Sequence, residues 1–450
     1  MMNKKLIEKY NVPGPRYTSY PVVPHWDTTP SQQQWIETLD HQLTGNEAEV
    51  SLYIHLPFCE SLCTYCGCNK KITANHSVER PYIDAVHREW DIYTRYLQKL
   101  PVIKEIHLGG GTPTFFSAEN LKFLINGLLQ RAKKSEDFEI SVEGHPNNTT
   151  YHQLEVLHAL GCNRVSFGIQ DFDNKVQVAI HRIQSYEQVQ KVTKWAHEIG
   201  YTSVNYDLIY GLPFQTKESI RDTISKVKQL QPGRIAFYSY AHVPWKSKSQ
   251  RLYSENDLPN AGLKQEMYEL GSQLLRDAGY HDIGMDHFAL PEDELSKAAK
   301  EGKLYRNFMG YTLRPASALI GLGVSSISDG GMAYVQNEKT IAQYKARINK
   351  GELPITKGHL LSEEDQMIRH HIMNLMCRFK TVYKTEKEYA LVQEVQERLA
   401  EFEEDGLLVN LSKGVLLTDT GKRFVRNICM AFDKRLREKA TGQQVFSKAV

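Results

Sequence analysis

No stretch of this 450-residue chain stays apolar for the roughly 20 residues a membrane helix needs, and no basic segment with an apolar run behind it opens the sequence. The expectation is a cytoplasmic protein with neither span nor export signal. An excess of charge of one sign is also lacking. Lys and Arg number 55 against 53 Asp and Glu, a net charge of +2, so nothing global steers the chain towards nucleic acid, and an anionic ligand must be met by local Arg, Lys and His. Cysteine is scarce: the seven present are an odd number and too few for a disulfide scaffold of this size. What is there is an ordinary soluble composition, 41% hydrophobic and 24% charged, enough for one large domain and one or two smaller ones.

The few cysteines are unevenly spread. Four fall within Cys59-Glu-Ser-Leu-Cys63-Thr-Tyr-Cys66-Gly-Cys68, directly after the apolar run Val50 to Pro57. Such a loop can be a disulfide staple, a zinc knuckle or an iron–sulfur site, and metal ligation is favoured in an intracellular chain. Structural zinc usually takes two ligand pairs separated by a longer stretch. Here Cys59, Cys63 and Cys66 form a Cys-x3-Cys-x2-Cys triad able to wrap one cubane and leave one iron open to a small molecule. Cys68 in the fourth position would instead give a closed electron-transfer centre. Cys162, Cys377 and Cys429 sit in apolar patterns and read as core.

From about residue 50 the chain alternates short β-rich runs with stretches of helical period. Candidate strands are Ser51–Leu56, Glu105–Leu108, Glu139–Glu143, Arg164–Gln170, Ser203–Ile209 and Arg234–Tyr240. Between them apolar residues recur every three or four positions, as in Ile83, Val86, Trp90, Tyr93 and Leu97, with Ser117 and Thr216 as N-caps and Gly200 as a stop. Alternation of this kind predicts an α/β fold with a parallel sheet, as a partial (β/α)6 barrel or a doubly wound sheet. In either, ligands sit beyond the carboxyl ends of the strands. There lie the Cys loop, Gly109-Gly110-Gly111-Thr112-Pro113-Thr114, Glu143, Gln170, Asp207 and Ala241-His242. Flanking this domain, expected over 49–353, are an N-terminal extension (1–48) with the extended Arg16-Tyr17-Thr18-Ser19-Tyr20-Pro21, and a C-terminal domain (354–450). The latter is mostly helical and winged-helix-like, with a hairpin near 406–418 and a helix carrying Lys422, Arg423 and Arg426. Asp282–Pro291 reads as irregular.

The Gly109–Gly111 turn lets backbone approach a ligand where a Cβ would clash, and it lacks the lysine of a phosphate loop. Taken with the cysteine triad and Tyr65 before its third cysteine, it resembles the radical S-adenosylmethionine enzymes. Further motifs narrow the resemblance: Arg16–Pro21, Tyr53-Ile-His55-Leu-Pro57-Phe58, Cys66-Gly-Cys68-Asn69-Lys70, Gly168-Ile-Gln170-Asp171-Phe172, Asp207-Leu-Ile-Tyr-Gly211-Leu-Pro213, Tyr240-Ala241-His242, Gly284-Met-Asp286-His287-Phe288 and Arg426-Asn427-Ile428-Cys429. Nearly end to end these are similar to the oxygen-independent coproporphyrinogen III oxidase (dehydrogenase) family of haem biosynthesis.

The resemblance implies conversion of two propionates of coproporphyrinogen III to vinyl groups, giving protoporphyrinogen IX by 5′-deoxyadenosyl radical chemistry. It implies a partial barrel of radical S-adenosylmethionine type, one 4Fe–4S cluster on Cys59, Cys63 and Cys66, and two S-adenosylmethionine molecules. Tyr53, Gly110, Glu143 and Ile327 would hold the first; Tyr65, Gly111, Thr112, Gln170, Arg182, Asp207 and Ala241 the second. Cys68 matches a family cysteine outside the cluster that assists the substrate step. Partners would be a low-potential electron donor such as flavodoxin or its reductase and an electron acceptor, around an expected monomer. One local departure stands beside Glu143, where Gly144-His145 replaces the Val-Asp of a familiar bacterial form. Rival readings are the family's non-catalytic haem chaperones, a radical methyltransferase that opens haem, and a winged-helix redox regulator. Cys68 and the Arg16–Pro21 segment favour the enzyme over the chaperones.

Overall fold

Short runs dense in Val, Ile, Tyr and Phe bury both faces of a pleated strand, and all six expected strands form: Glu49–Leu56 (β1), Val102–Gly110 (β2), Lys133–Gly144 (β3), Cys162–Gln170 (β4), Ser203–Tyr210 (β5) and Arg234–Ser239 (β6). The structure is a computed structural model that describes residues 4–45, 48–97, 99–313, 315–438 and 446–447. It divides into two compact units. One holds Thr28–Gly279 and Ala316–Leu360; the other gathers the chain up to Asp27, Tyr280–Pro315 and the chain from Leu361 onward.

In the larger unit β1 to β6 pair in parallel and in consecutive order. A doubly wound sheet would reverse its strand order partway, so the partial (β/α)6 barrel is the architecture. The helices between the strands include Glu79–Tyr96 (α1), Ala118–Leu129 (α2), Tyr151–Ala159 (α3), Asn174–Ala179 (α4), Tyr186–Ile199 (α5) and Lys217–Leu230 (α6). Their ends follow the expected caps. Ser117 accepts from Asn120 N at 3.2 Å, Thr216 and Ser219 form a capping box, and Gly200 closes α5 at a φ of 111°.

On its other edge β1 pairs in parallel with Ala318–Leu322 (β7), which continues into antiparallel Ile327–Asp329 (β8), Ala333–Asn337 (β9) and Ile355–Leu360 (β10). A wholly buried carboxyl anchors this extension to α1. Glu89 accepts from Gly323 N at 2.8 Å, Asn337 Nδ2 at 2.6 Å and the Tyr344 hydroxyl at 2.6 Å. Three donors compensate a group that burial raises to about 7.

The smaller unit has its own core, with Ile368, Ile372, Leu375, Val395, Leu399, Phe424 and Ile428 among its buried residues. It contains helices Glu363–Arg378, Glu386–Glu404 and Val425–Phe432, and a three-stranded sheet of Lys380–Val382, Gly414–Leu417 and Leu408–Leu411. Two expectations are corrected here. Asp282–Pro291 is not irregular at its start: His281–Gly284 and His287–Ala289 pair as a hairpin turned through Met285 and Asp286, both at positive φ. The basic helix is in two pieces, Asp419–Arg423 and Val425–Phe432, and Arg426 is buried. Arg426 Nε donates to Pro15 O at 2.9 Å and Nη2 donates to Gly14 O. The extended Arg16–Pro21 segment contributes Tyr17 and Tyr20 to this core, each 1% exposed, with the Tyr17 hydroxyl donating to Asp433 at 3.0 Å.

Candidate active site

At the carboxyl ends of β1 to β5 a cavity of about 350 Å³ is lined by Cys59, Cys63, Cys66, Cys68, Tyr65, Gly110, Gly111, Thr112, Glu143, Gln170, Arg182 and Asp207. Of the residues expected to hold the cluster and the two S-adenosylmethionine molecules or to assist the substrate step, only Tyr53, Ala241 and Ile327 lie outside this lining. Tyr53 stacks on His107 at 5.8 Å. Ala241 O accepts from Gln250 at 3.3 Å, and Ile327 opens β8, its carbonyl where a Cβ on Gly321 would fall.

The Cys loop is pinned by its backbone. Lys71 N donates to Pro57 O at 2.7 Å, Thr73 N to Cys59 O at 2.9 Å, and Thr64 N to Ile180 O beyond α4 at 3.0 Å. Thr64 Oγ1 adds a bond to Ala179 O at 3.0 Å. The glycine turn after β2 closes against the loop: Gly111 N donates to Leu56 O and Thr112 N to Phe58 O. Glycine is required at two positions. Gly110 has a φ of 116°, and a Cβ on Gly111 would stand 2.7 Å from the Pro57 carbonyl.

The sulfurs meet hydrogen-bond donors and cations. Thr112 Oγ1 donates to Cys59 Sγ at 3.3 Å, and Arg182 Nη1 to Cys63 Sγ at 3.5 Å. A hydrogen bond from the Cys68 thiol, then Lys70 and Arg182, outweigh burial and bring Cys66 down to about 6, so it readily becomes a thiolate. Burial raises Cys59 despite the Thr112 bond. Arg182 is held in place by Gly168 O, to which Nη2 and Nε donate at 2.6 and 3.2 Å. A Cβ on Gly168 would fall 2.8 Å from that guanidinium and 2.7 Å from Gln170 Nε2. Gln170 itself ends β4 at a φ of 68°, an uncommon conformation for a side-chain-bearing residue at a strand end.

Two carboxyls share the cavity in different states. Burial would raise Glu143, but the His107 ring at 3.2 Å, the Gly110 N–H at 3.3 Å and the field of His55 bring it below the ordinary value. Its side chain keeps 43% exposure and lines the cavity. Asp207 rises to about 7, first through burial and then through the charge of Glu143, with Ser166 and Arg182 opposing. His145, the departure beside Glu143, is lowered to about 2 by burial and then by Arg182. Its Nδ1 accepts from Asn147 N at 3.1 Å, which places the ring proton on Nε2.

Sequence reasoning missed His107 and Ser166. His107 orients Glu143 with one nitrogen while the other meets Ser141 at 2.7 Å. Its signal was a histidine inside a strand whose neighbours are buried on both faces, since such a group needs a partner.

A family model for the radical SAM superfamily matches residues 53–227. The chain is similar to the oxygen-independent coproporphyrinogen III oxidase of Pseudomonas aeruginosa, 38% identical over 99% of this chain and 98% of the relative. It is 40% identical to the enzyme of the same name from Helicobacter pylori, over 98% of each chain. Among solved structures, the coproporphyrinogen III oxidase of Escherichia coli, described as a radical SAM enzyme, matches with a TM-score of 0.90 at 36% identity, covering 96% of this chain and 99% of that one.

Proposed function

The chain belongs to the oxygen-independent coproporphyrinogen III oxidases of the radical S-adenosylmethionine superfamily, and on that premise we propose which of its residues carry the oxidative decarboxylation. The substrate is coproporphyrinogen III and the product protoporphyrinogen IX. Each of two propionates loses carbon dioxide, one hydrogen atom from its β-carbon and one electron, which together leave a vinyl group.

Membership implies a 4Fe–4S cluster and S-adenosylmethionine, and the residues present suit both. Three thiols converge from one pinned loop, two of them receive hydrogen bonds, and the third is drawn towards thiolate. Cys59, Cys63 and Cys66 would therefore be the cluster ligands, which leaves one iron to S-adenosylmethionine. When bound, cluster and cosubstrate supply an electron and a 5′-deoxyadenosyl radical able to take the propionate hydrogen.

The protein's own residues bind and orient. Glu143, ionised and aimed by His107, accepts from the amino group of the first S-adenosylmethionine, with Tyr53, Gly110 and Ile327 around it. A second S-adenosylmethionine would take Tyr65, Gly111, Thr112, Gln170, Arg182, Asp207 and Ala241. Arg182 can turn its guanidinium to a methionyl carboxylate, and Asp207 accepts from a ribose or amino group once it loses its proton. Cys68, solvent-facing at the cavity, is held as a protonated thiol by its bond with Cys66 and is assigned to the substrate step. A low-potential one-electron donor and a separate acceptor complete the cycle. All seven cysteines are free, which supports a reducing, cytoplasmic setting.

The observation that carries this reading is the convergence of the cysteine triad, the glycine turn, Glu143, Gln170, Arg182 and Asp207 on one cavity at the strand ends. Anaerobic reconstitution with coproporphyrinogen III and S-adenosylmethionine should yield protoporphyrinogen IX, carbon dioxide and 5′-deoxyadenosine. An intact cluster without protoporphyrinogen would overturn it, and the same product analysis separates a haem chaperone or a haem-opening methyltransferase. Cys66→Ser should fail to hold a full 4Fe–4S cluster by electron paramagnetic resonance and should release no 5′-deoxyadenosine.

A further inference from the structure

Beyond β6 the chain makes a loop, 242–252, that is fastened to the Cys loop and yet turned outward. Gln250, 1% exposed, donates from Nε2 to Tyr65 O at 2.9 Å and accepts from Val243 N at 2.6 Å. Ser247 Oγ donates to the carbonyl of Cys66 itself at 3.4 Å. None of the residues lining the cavity comes from this loop. Its outer side carries Trp245 at 47% and Leu252 at 64% exposure, with Lys246, Lys248 and Arg251 exposed among them. Between Ala241 and Ser254 there is no acidic residue. In a chain of net charge +2 this is a local cationic surface with an aromatic and an aliphatic anchor.

We propose that the 242–252 loop is the docking surface for a small acidic one-electron carrier protein, and this rests on the reading of Cys59, Cys63 and Cys66 as cluster ligands. Charge complementarity chooses the occupant. Tetra-anionic substrate would have to enter the cavity, which these side chains do not line, whereas a macromolecule can cover an outward face holding both cations and exposed apolar groups. Position supplies the second argument. Tunnelling falls off exponentially with distance, and a carrier seated here rests on a segment hydrogen-bonded to a ligand residue's own backbone. In the step itself one electron leaves the carrier and enters the cluster, with no bond or proton exchanged.

The test uses the reconstituted full chain and two reductants, dithionite and a reduced acidic plant-type 2Fe–2S ferredoxin, with cluster reduction followed by stopped-flow absorbance. In Lys246→Glu/Lys248→Glu/Arg251→Glu the ferredoxin-driven rate should fall at least about ten-fold at low ionic strength and converge with wild type at high salt, while the dithionite rate and cluster spectrum stay unchanged. Arg251 Nε also donates to Pro244 O at 2.9 Å, so Lys248→Glu and Lys248→Gln alone serve as variants that spare this bond, each with a smaller drop of the same salt dependence. Equal ferredoxin rates for wild type and the lysine variants at every ionic strength would overturn the docking surface. Loss of the cluster in wild type would instead overturn the ligand assignment.

Discussion

At the scale of the residue, the cavity separates two carboxyls by their surroundings. Asp207 has a folded value of about 7 against an ordinary 3.8, set by burial first and Glu143 second. Its contribution to stability is thus full below about pH 4 and is lost as pH rises through 7, an effect of at most about 4 kcal/mol. The cluster-free protein should lose thermal stability between pH 5 and 8, and Asp207→Asn should lose distinctly less over that interval. Equal losses would mean that Asp207 is already ionised at pH 5. Glu143 has the opposite sign: its depressed value contributes stability above the ordinary carboxylate range that disappears as pH falls through the folded value. Because Glu143 lifts Asp207, Glu143→Gln should move the Asp207 titration to lower pH, readable by carbon-13 carboxyl resonances. His145 stays neutral throughout this range, so the departure from Val-Asp places no additional charge beside Glu143.

At the scale of the element, what could be read from sequence depended on whether the determinant was local. The barrel strands were legible because β-rich runs bounded by breakers repeat, and the glycine turn because Gly110 and Gly111 answer to a positive φ and a backbone contact. The cysteine triad was legible because its three thiols share one loop. The partnership of His107 with Glu143 was not, since it joins two strands through a register that sequence does not print. The Met285–Asp286 turn was missed because it uses positive φ without the Asn-Gly that usually marks it. Arg426 reads in the sequence as one cation of a basic helix, and its burial is not legible there because its partners, the carbonyls of Gly14 and Pro15, lie at the far end of the chain. That contact makes a prediction for the N-terminal segment. Arg426→Ala leaves the two carbonyls without their donor, and the backbone around Arg16 and Tyr17 should open more often. Under native conditions trypsin should cut after Arg16 several-fold faster in the variant than in wild type, by mass spectrometry of timed digests. Unchanged cleavage would assign the segment's order to Tyr17 and Tyr20 alone.

At the scale of the whole molecule, the cluster loop and the hydrophobic cores are separate things. The smaller unit has its own buried cluster around Ile372, Leu375 and Ile428. In the larger, the buried faces of β1 to β6 carry Val50, Leu52, Ile54, Ile106, Leu108, Val142, Val165 and Ile235, none of which belongs to the Cys loop. The loop's path is fixed by protein bonds, from Thr64 to Ala179 and Ile180, from Lys71 to Pro57 and from Thr73 to Cys59. Metal is therefore not what folds this chain, in contrast to small zinc domains whose ligands are their only organising centre. Stripping the cluster with chelator and oxidant should leave far-ultraviolet circular dichroism essentially unchanged, and anaerobic iron and sulfide should restore the spectrum without a refolding step. A large loss of helical signal on stripping would show that the thiolate loop organises the sheet ends rather than resting on them. Thr64→Val offers a sharper arm of the same experiment. It removes the hydroxyl bond to Ala179 while keeping shape, so the stripped loop should exchange its amide hydrogens faster while the core strands keep their protection. Protection lost equally in loop and strands would mean that the two are one cooperative piece.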